Sequence, residues 1–190
     1  RDFAALQRVI ATDGAAEGHD GLHDWIATFP TTDPQRDSAP DEAVLQLYSS
    51  GTTGLPKGVE ISHRNLLLAC NVYAQVCRID RETVMLNSLP AFHIAGVENS
   101  LTTLIEGGRT LYRSAFDPAD TIATIGAQRI THVFLVPAMM LFVLQHPTAA
   151  SADFSSLRMV SYGGSPIAES LLAEAKARFA CALLQVYGMT

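Results

Sequence analysis

The stretch SSGTTGLPKG, residues 49–58, follows the apolar run Val44-Leu45-Gln46-Leu47-Tyr48. Its ten positions hold three glycines, a proline, four hydroxyl side chains and one lysine, and almost nothing a core can use. Glycine lets the backbone turn where a side chain clashes, so consecutive N–H groups can converge on one oxygen cluster. Ser49, Ser50, Thr52 and Thr53 add hydroxyl donors, and Lys57 adds a point charge. These residues fit a phosphate-gripping loop placed after a strand. They also fit a polar surface turn, since Gly, Ser, Thr and Pro are ordinary turn residues. Two phosphate loops are excluded. A Walker A loop needs glycine where Pro56 stands and Ser or Thr where Gly58 stands. A kinase Gly-rich loop fails because Gly51 and Gly54 are three apart.

Outward from this loop the pattern becomes regular. Short Val-, Leu- and Ile-rich runs predict strands at 44–48, 83–89, 109–113, 131–136, 158–162 and 181–187. Longer amphipathic runs predict helices at 63–78, 95–106, 118–128, 138–146 and 166–179. Ser62 reads as a cap, and Asp117-Pro118 and Ser165-Pro166 each set an N-cap residue before a proline at N1. Strands alternating with helices predict an α/β fold with a mostly parallel sheet flanked by helices. Before this region, TTDPQRDSAPDE (31–42) reads as a polar linker, and Trp25, Ile26 and Phe29 read as a tack onto a core. The opening FAALQRVIA (3–11) reads as helical, and both ends read as cut, so the chain is expected to be a piece of a larger protein.

The chain has 190 residues, 48% hydrophobic and 17% charged, which is enough for one domain with a sizeable core. A net charge of −6 argues against a general nucleic-acid surface, so any polyphosphate must be held by local donors. The longest apolar run, Val133 to Leu144, has 12 residues including Pro137, too short for a transmembrane segment. Cys70, Cys77 and Cys181 form no CxxC pair and read as free, buried thiols in a reducing, cytoplasmic compartment, with no zinc.

In parallel sheets ligands sit beyond the carboxyl ends of strands. Four segments occupy such places: SSGTTGLPKG after 44–48, Pro90 to Gly96 after 83–89, Gly163-Gly164-Ser165-Pro166 after 158–162, and Tyr187-Gly188-Met189-Thr190 after 181–187. LYSSGTTGLPKGVEISHRNL (47–66) resembles the phosphate-loop signature YTSGTTGxPKGV of the adenylate-forming superfamily of acyl-CoA synthetases, luciferases and adenylation domains. SLPAFHIAG (88–96) resembles that family's LPLFHxxG, SYGGSPI (161–167) its GGAPL, and QVYGMT (185–190) the start of its QxYGMTE. The resemblance runs from about residue 43 to the end. It implies a connecting segment at 1–42 and a truncated ATP- and acyl-binding core of the N-terminal domain at 43–190.

The resemblance further implies an acid–thiol ligase: a carboxylic acid attacks ATP with Mg²⁺ help, giving an acyl-adenylate that a thiol, commonly CoA, then takes. By position, Ser50, Gly51, Thr52, Thr53, Gly54 and Lys57 would cradle the β- and γ-phosphates, and Ser49 would bring a hydroxyl near the metal. Gly163, Gly164 and Ser165 would line the adenine, Tyr187 and Gly188 would meet the base, and Thr190 would reach the α-phosphate. His93 would stand at the mouth of the acyl pocket; read alone it is equally a packed or surface histidine. Tyr187 and Met189 also read as plain core residues, and the other five histidines carry no role. The family's acid after YGMT, its ribose-binding aspartate and its C-terminal lysine are not in the sequence, so the piece is expected not to complete a turnover. Amino-acid-activating relatives place an aspartate near the second motif, where this chain has Ala91-Phe92-His93. An unpaired ammonium in an apolar pocket is costly, so a fatty or other non-amino acid is expected. Val97, Leu101 and Leu104 suit an acyl tunnel and a helix core equally. A nucleotide-binding module without catalysis, a different acyl acceptor and a kinase-type enzyme remain as alternatives.

Overall fold

The computed structural model describes residues 8–14, 18–49 and 54–190. The chain divides into two compact units, Arg1–Asp37 and Ser38–Thr190. In the first, β1 (Ile10–Ala11) pairs in parallel with β2 (Asp20–Gly21), and α1 (Leu22–Ile26) follows directly. The helix expected at 3–11 is therefore not continued through its end: Val9 and Ile10 are β-branched, and Ile10 takes a strand partner instead. Residues 3–7 lie outside the described residues. Trp25 near the end of α1 and Phe29, in the turn beyond it, pack edge to face with centroids 4.9 Å apart. Trp25 and Phe29 thus form a ring pair, while Ile26 and Phe29 each stay 53% exposed.

The second unit opens with a hairpin. β3 (Ala43–Ser49) pairs antiparallel with β4 (Lys57–Ser62), in a register that sets Ser49 opposite Lys57 and Leu47 opposite Val59. This corrects two expectations. The run at 44–48 is not a strand of the parallel sheet, and Lys57 begins a strand rather than ending a loop. Val59 and Ile61 alternate with polar neighbours, the signature of a half-buried strand, which the glycine punctuation around Gly58 obscures. Ser62 then caps α2 (His63–Cys77), its Oγ accepting from the Asn65 N–H. His63 N–H donates to the Glu42 carbonyl and Arg64 pairs with Asp41 at 2.8 Å, so the hairpin base and the helix start are stitched together.

The rest is a strand–helix alternation: β5 (Val84–Asn87), α3 (Ile94–Ile105), β6 (Arg109–Tyr112), α4 (Pro118–Ala127), β7 (His132–Phe134), α5 (Pro137–Gln145), β8 (Met159–Gly163), α6 (Glu169–Phe179) and β9 (Ala182–Val186). The five strands form one parallel sheet in the order β6-β5-β7-β8-β9. Parallel sheets need cover on both faces. One core holds Ile122 and Ile125 of α4, Met140 and Val143 of α5, and Ala175 and Phe179 of α6 against Leu86, Val133 and Val160. A second holds Tyr73, Ala74 and Cys77 of α2 against Met85 and Met159, with Leu184 and Val186 at its margin.

Asp117 caps α4 as its sequence predicts, accepting from the Asp120 N–H at 2.7 Å. The expected start of α6 at Pro166 is not found. That helix begins at Glu169 behind Ala168, and Ser165 caps nothing there. Ser-Pro suits extended backbone as well as a helix start, and Ile167 is held against the core, which keeps this segment out of the helix. Cys70 and Cys77 are buried free thiols, whereas Cys181 is only half-buried, because it stands at the start of the sheet's edge strand. Burial pushes the Cys77 thiol up to about 11. His132 is buried with Nε2 donating to the Cys77 carbonyl at 3.0 Å, and burial lowers its pKa, so the ring is a neutral structural tie.

Tyr73 joins three elements. Its hydroxyl donates to Asn99 Oδ1 of α3 at 2.9 Å and lies 2.8 Å from Ser161 Oγ of β8, which donates back. Tyr73→Phe leaves Asn99 and Ser161 short of a partner, both buried. It is expected to destabilise the fold by roughly 1–3 kcal/mol, read as a lower denaturant midpoint. An unchanged midpoint would show that the two residues satisfy each other without the tyrosine.

Candidate functional site

The carboxyl edge of the sheet is where side chains leave the core. Asn87, the last residue of β5, is 3% exposed and fixes the loop beyond it. Its Oδ1 accepts from the Leu89 N–H at 3.0 Å, and its Nδ2 donates to the Gly96 carbonyl at 2.8 Å and to Ser100 Oγ at 2.6 Å. Gly96 itself lies so close to the Pro90 carbonyl that a Cβ would fall 2.3 Å from that oxygen. The first turn of α3 is thereby pressed onto the loop. His93 stands at its N-cap, exposed, with its ring 4.9 Å from that of Phe92 and no side-chain capping bond. No motif singles out Asn87. Its signal in the sequence is a lone amide ending an apolar strand.

Two strands further on, β8 and β9 run side by side with Gly163 opposite Val186. Beyond them lies a slot of ≈ 350 Å³. Gly163, Gly164, Ser165 and Pro166 form one wall, and Gln185, Val186, Tyr187 and Gly188 form the other. Five residues expected from sequence, Gly163, Gly164, Ser165, Tyr187 and Gly188, thus meet around one cavity. Pro166 belongs to the segment expected beyond 158–162, though without a role of its own, and Gln185 and Val186 are additions that strand register brings to the cavity. Tyr187 is 91% exposed and Met189 is 89% exposed, which removes the reading of either as a core residue. Thr190 is exposed as well.

The two adjacent glycines have different causes. A Cβ on Gly163 would fall 2.2 Å from the Val186 carbonyl oxygen, so the strands can approach only if this residue is glycine. Gly164 has φ +81°, the left-handed conformation that turns the chain sharply out of β8. The first serves the sheet and the second shapes the slot.

The hairpin tip is a separate element. Ser49 and Lys57 face each other across its base, and Gly54 has φ +84° with open space, to 4 Å, around the place a Cβ would take. Ser50, Gly51, Thr52 and Thr53, the expected phosphate contacts, lie outside the described residues. Of the four loops expected at one sheet edge, three follow strands of the parallel sheet and this one closes a hairpin. Among the described residues no hairpin residue lines the slot. No group of three or more His, Cys, Asp or Glu able to hold a metal occurs among them either. No helix among them is long and apolar enough to cross a membrane.

Comparison with known proteins matches the family described as AMP-binding enzyme over residues 3–190. A fatty acid–[acyl-carrier-protein] ligase, ScoC of Streptomyces coeruleorubidus, is 38% identical over 171 residues, covering 87% of this chain and 33% of the relative. A feruloyl-CoA synthase of an Amycolatopsis species is 38% identical over 152 residues, covering 79% of this chain and 30% of the relative. Among solved structures, the inhibitor-bound N-terminal domain of FACL13 from Mycobacterium tuberculosis superposes with a TM-score of 0.84 at 26% identity, covering 89% of this chain and 42% of that one. The chain spans about a third of the length of these curated relatives.

The close approach at Gly163 has a measurable consequence without any ligand. Gly163→Ala is expected to force β9 away and to destabilise the fold by about 1–3 kcal/mol, the usual range for overpacking. Thermal unfolding in the absence of nucleotide checks this. An unaltered Tm would assign the glycine to the ligand instead of the sheet.

Proposed function

The chain belongs to the AMP-binding enzyme family, and on that premise we propose that it is part of an ATP-dependent acid–thiol ligase. Residues 43–190 are its ATP- and acyl-binding core. The reaction joins a carboxylate oxygen of the acid to the α-phosphorus of ATP, and pyrophosphate leaves with the bonding electrons. A thiol sulfur then bonds to the acyl carbon and AMP leaves, the thiol proton passing to solvent. The acid is a fatty or other non-α-amino acid and the thiol is that of CoA. A carrier-protein thiol is the second reading, favoured by the name of the Streptomyces relative.

The observation that carries the proposal is the slot between β8 and β9, with an exposed Tyr187 ring at its side. An aromatic ring open to solvent offers a flat face to a purine, while Gly163, Gly164 and Ser165 bring backbone to its edge. Thr190, three residues past Tyr187, reaches for the α-phosphate with its hydroxyl. Gly54, Lys57 and the segment 50–53 hold the β- and γ-phosphates, where negative charge grows as pyrophosphate departs. His93 stands at the entry of the acyl group. For magnesium the described residues offer the Ser49 hydroxyl alone. That falls short of a site, because this cation takes carboxylate and phosphate oxygens in a full octahedron. Cys70 and Cys77, buried and unpaired, suit a reducing compartment such as the cytoplasm.

The test is acid-dependent ATP–pyrophosphate exchange by the full-length protein, followed by product analysis with CoA or a carrier protein as acceptor. AMP and pyrophosphate are expected; ADP would overturn the reading in favour of a kinase-type reaction. In the same assay Lys57→Met is expected to lower kcat/KM for ATP about tenfold to hundredfold at unchanged Tm. Losing a charge-assisted hydrogen bond removes roughly 1.5–3 kcal/mol. Unchanged kinetics at subsaturating ATP would remove Lys57 from the site.

A further inference from the structure

A second cavity, of ≈ 510 Å³, lies along α2, α3 and β9. Its walls are apolar: Leu68, Val72 and Val76 from α2 face Leu184 and Val186 from β9. One charged side chain lines it, Glu98 of α3. Among the described residues no hydrogen bond or ion pair reaches the Glu98 carboxylate. Burial, rather than any neighbouring charge, pushes its pKa up. The ionisable groups that feel it, Tyr73, Cys70 and Cys77, are themselves held neutral by burial. A half-buried carboxylate without a partner costs stability, and a leucine or glutamine at this turn of α3 would avoid that cost. The fold therefore gives no reason for the charge.

The groove adjoins the proposed nucleotide slot. Gln185, Val186 and Tyr187 line both cavities. An acyl group tethered to an adenylate whose base rests on Tyr187 has this groove beside it, with apolar walls for carbon and one acceptor part way along. We propose that Glu98 is a specificity-determining residue that accepts a hydrogen bond from a donor, a hydroxyl or an amine, carried on the acyl group away from its carboxyl end. The substrate is thus a chain- or ring-substituted acid rather than a plain alkyl one. This rests on the ligase reading above and narrows its substrate class. A buried acceptor left unpaired by an analogue that lacks the donor is a strong means of discrimination.

The experiment uses the full-length protein and ATP–pyrophosphate exchange with length-matched series of unsubstituted, hydroxy- and amino-substituted carboxylic acids. At the best length a donor-bearing acid is expected to exceed its unsubstituted counterpart about tenfold to hundredfold in kcat/KM, the range of a charge-assisted hydrogen bond. Glu98→Leu is expected to abolish that preference and to raise activity on unsubstituted acids, with KM for ATP and Tm maintained. Glu98→Gln keeps an acceptor oxygen but loses the charge. Retained preference for hydroxy acids identifies a hydroxyl donor, and lost preference for amino acids of this type identifies an amine. Equal ratios in wild type and Glu98→Leu at every length would overturn the inference and leave the ligase reading standing. A fall in Tm of both variants, with all acids affected alike, would also overturn it, by showing that Glu98 pairs with a basic group of the longer protein. Absence of exchange with every acid would overturn both readings together.

Discussion

The hydroxyl of Tyr73 is the point from which the arrangement of this molecule can be traced. It lies between Asn99 of α3 and Ser161 of β8, and each of those contacts leads to a different part of the candidate site. Ser161 stands two residues before Gly163, so β8 is held where its end can open the slot. Asn99 lies in the helix whose first turn is pressed onto Pro90 and whose N-cap is His93. Tyr73 itself belongs to α2, which begins directly after β4, so the hairpin inherits its position from the same helix. A buried polar bridge of this kind is costly if one member is lost and specifies one packing when all are present.

Most of the architecture is legible in the sequence because it follows from periodicity. Strand and helix alternation, the caps at Ser62 and Asp117, and a largely parallel sheet all rest on local patterns, and local patterns are what a sequence displays. The departures have causes of their own. β4 is hidden because Gly58 and the loop before it dominate a six-residue strand, although Val59 and Ile61 alternate as a strand should. The start of α6 is misplaced because Ser165-Pro166 is ambiguous until Ile167 is known to pack on the core. The first is a local pattern overshadowed by its neighbours, and the second depends on what the segment meets across space, which no local pattern records.

The candidate site divides along the same line. Glycines and hydroxyls advertise themselves, so one wall of the slot and the exposed end of β9 are readable. Gln185 and Val186 are not, since only the register of β9 on β8 brings them to the cavity. The glycine pair shows how a readable feature can mislead about cause. Gly163 is required by a strand neighbour whether or not a nucleotide binds, while Gly164 makes the turn. Glu98 is hidden for another reason: a substrate-pairing carboxylate is expected within the motif, at Ala91-Phe92-His93, and none stands there. A helix beginning at Ile94 carries the next candidate round to a different wall.

The edge strand β9 is where these lines converge. Successive side chains of a strand point to opposite faces. Leu183 packs toward the core under α4, α5 and α6, while Leu184 and Val186 turn toward α2 and the apolar groove. The Val186 carbonyl meanwhile meets Gly163, at the slot. One residue thus faces the groove with its side chain and the slot's glycine wall with its backbone. Any shift of β9 that widens one cavity must alter the other. Gln185, Val186 and Tyr187 line both cavities, so a substitution there cannot be expected to alter one cavity alone. Glu98 escapes that coupling because it reaches the groove from α3, across from the strand. A substitution at Glu98 therefore alters the groove while the slot between β8 and β9 stays as it is.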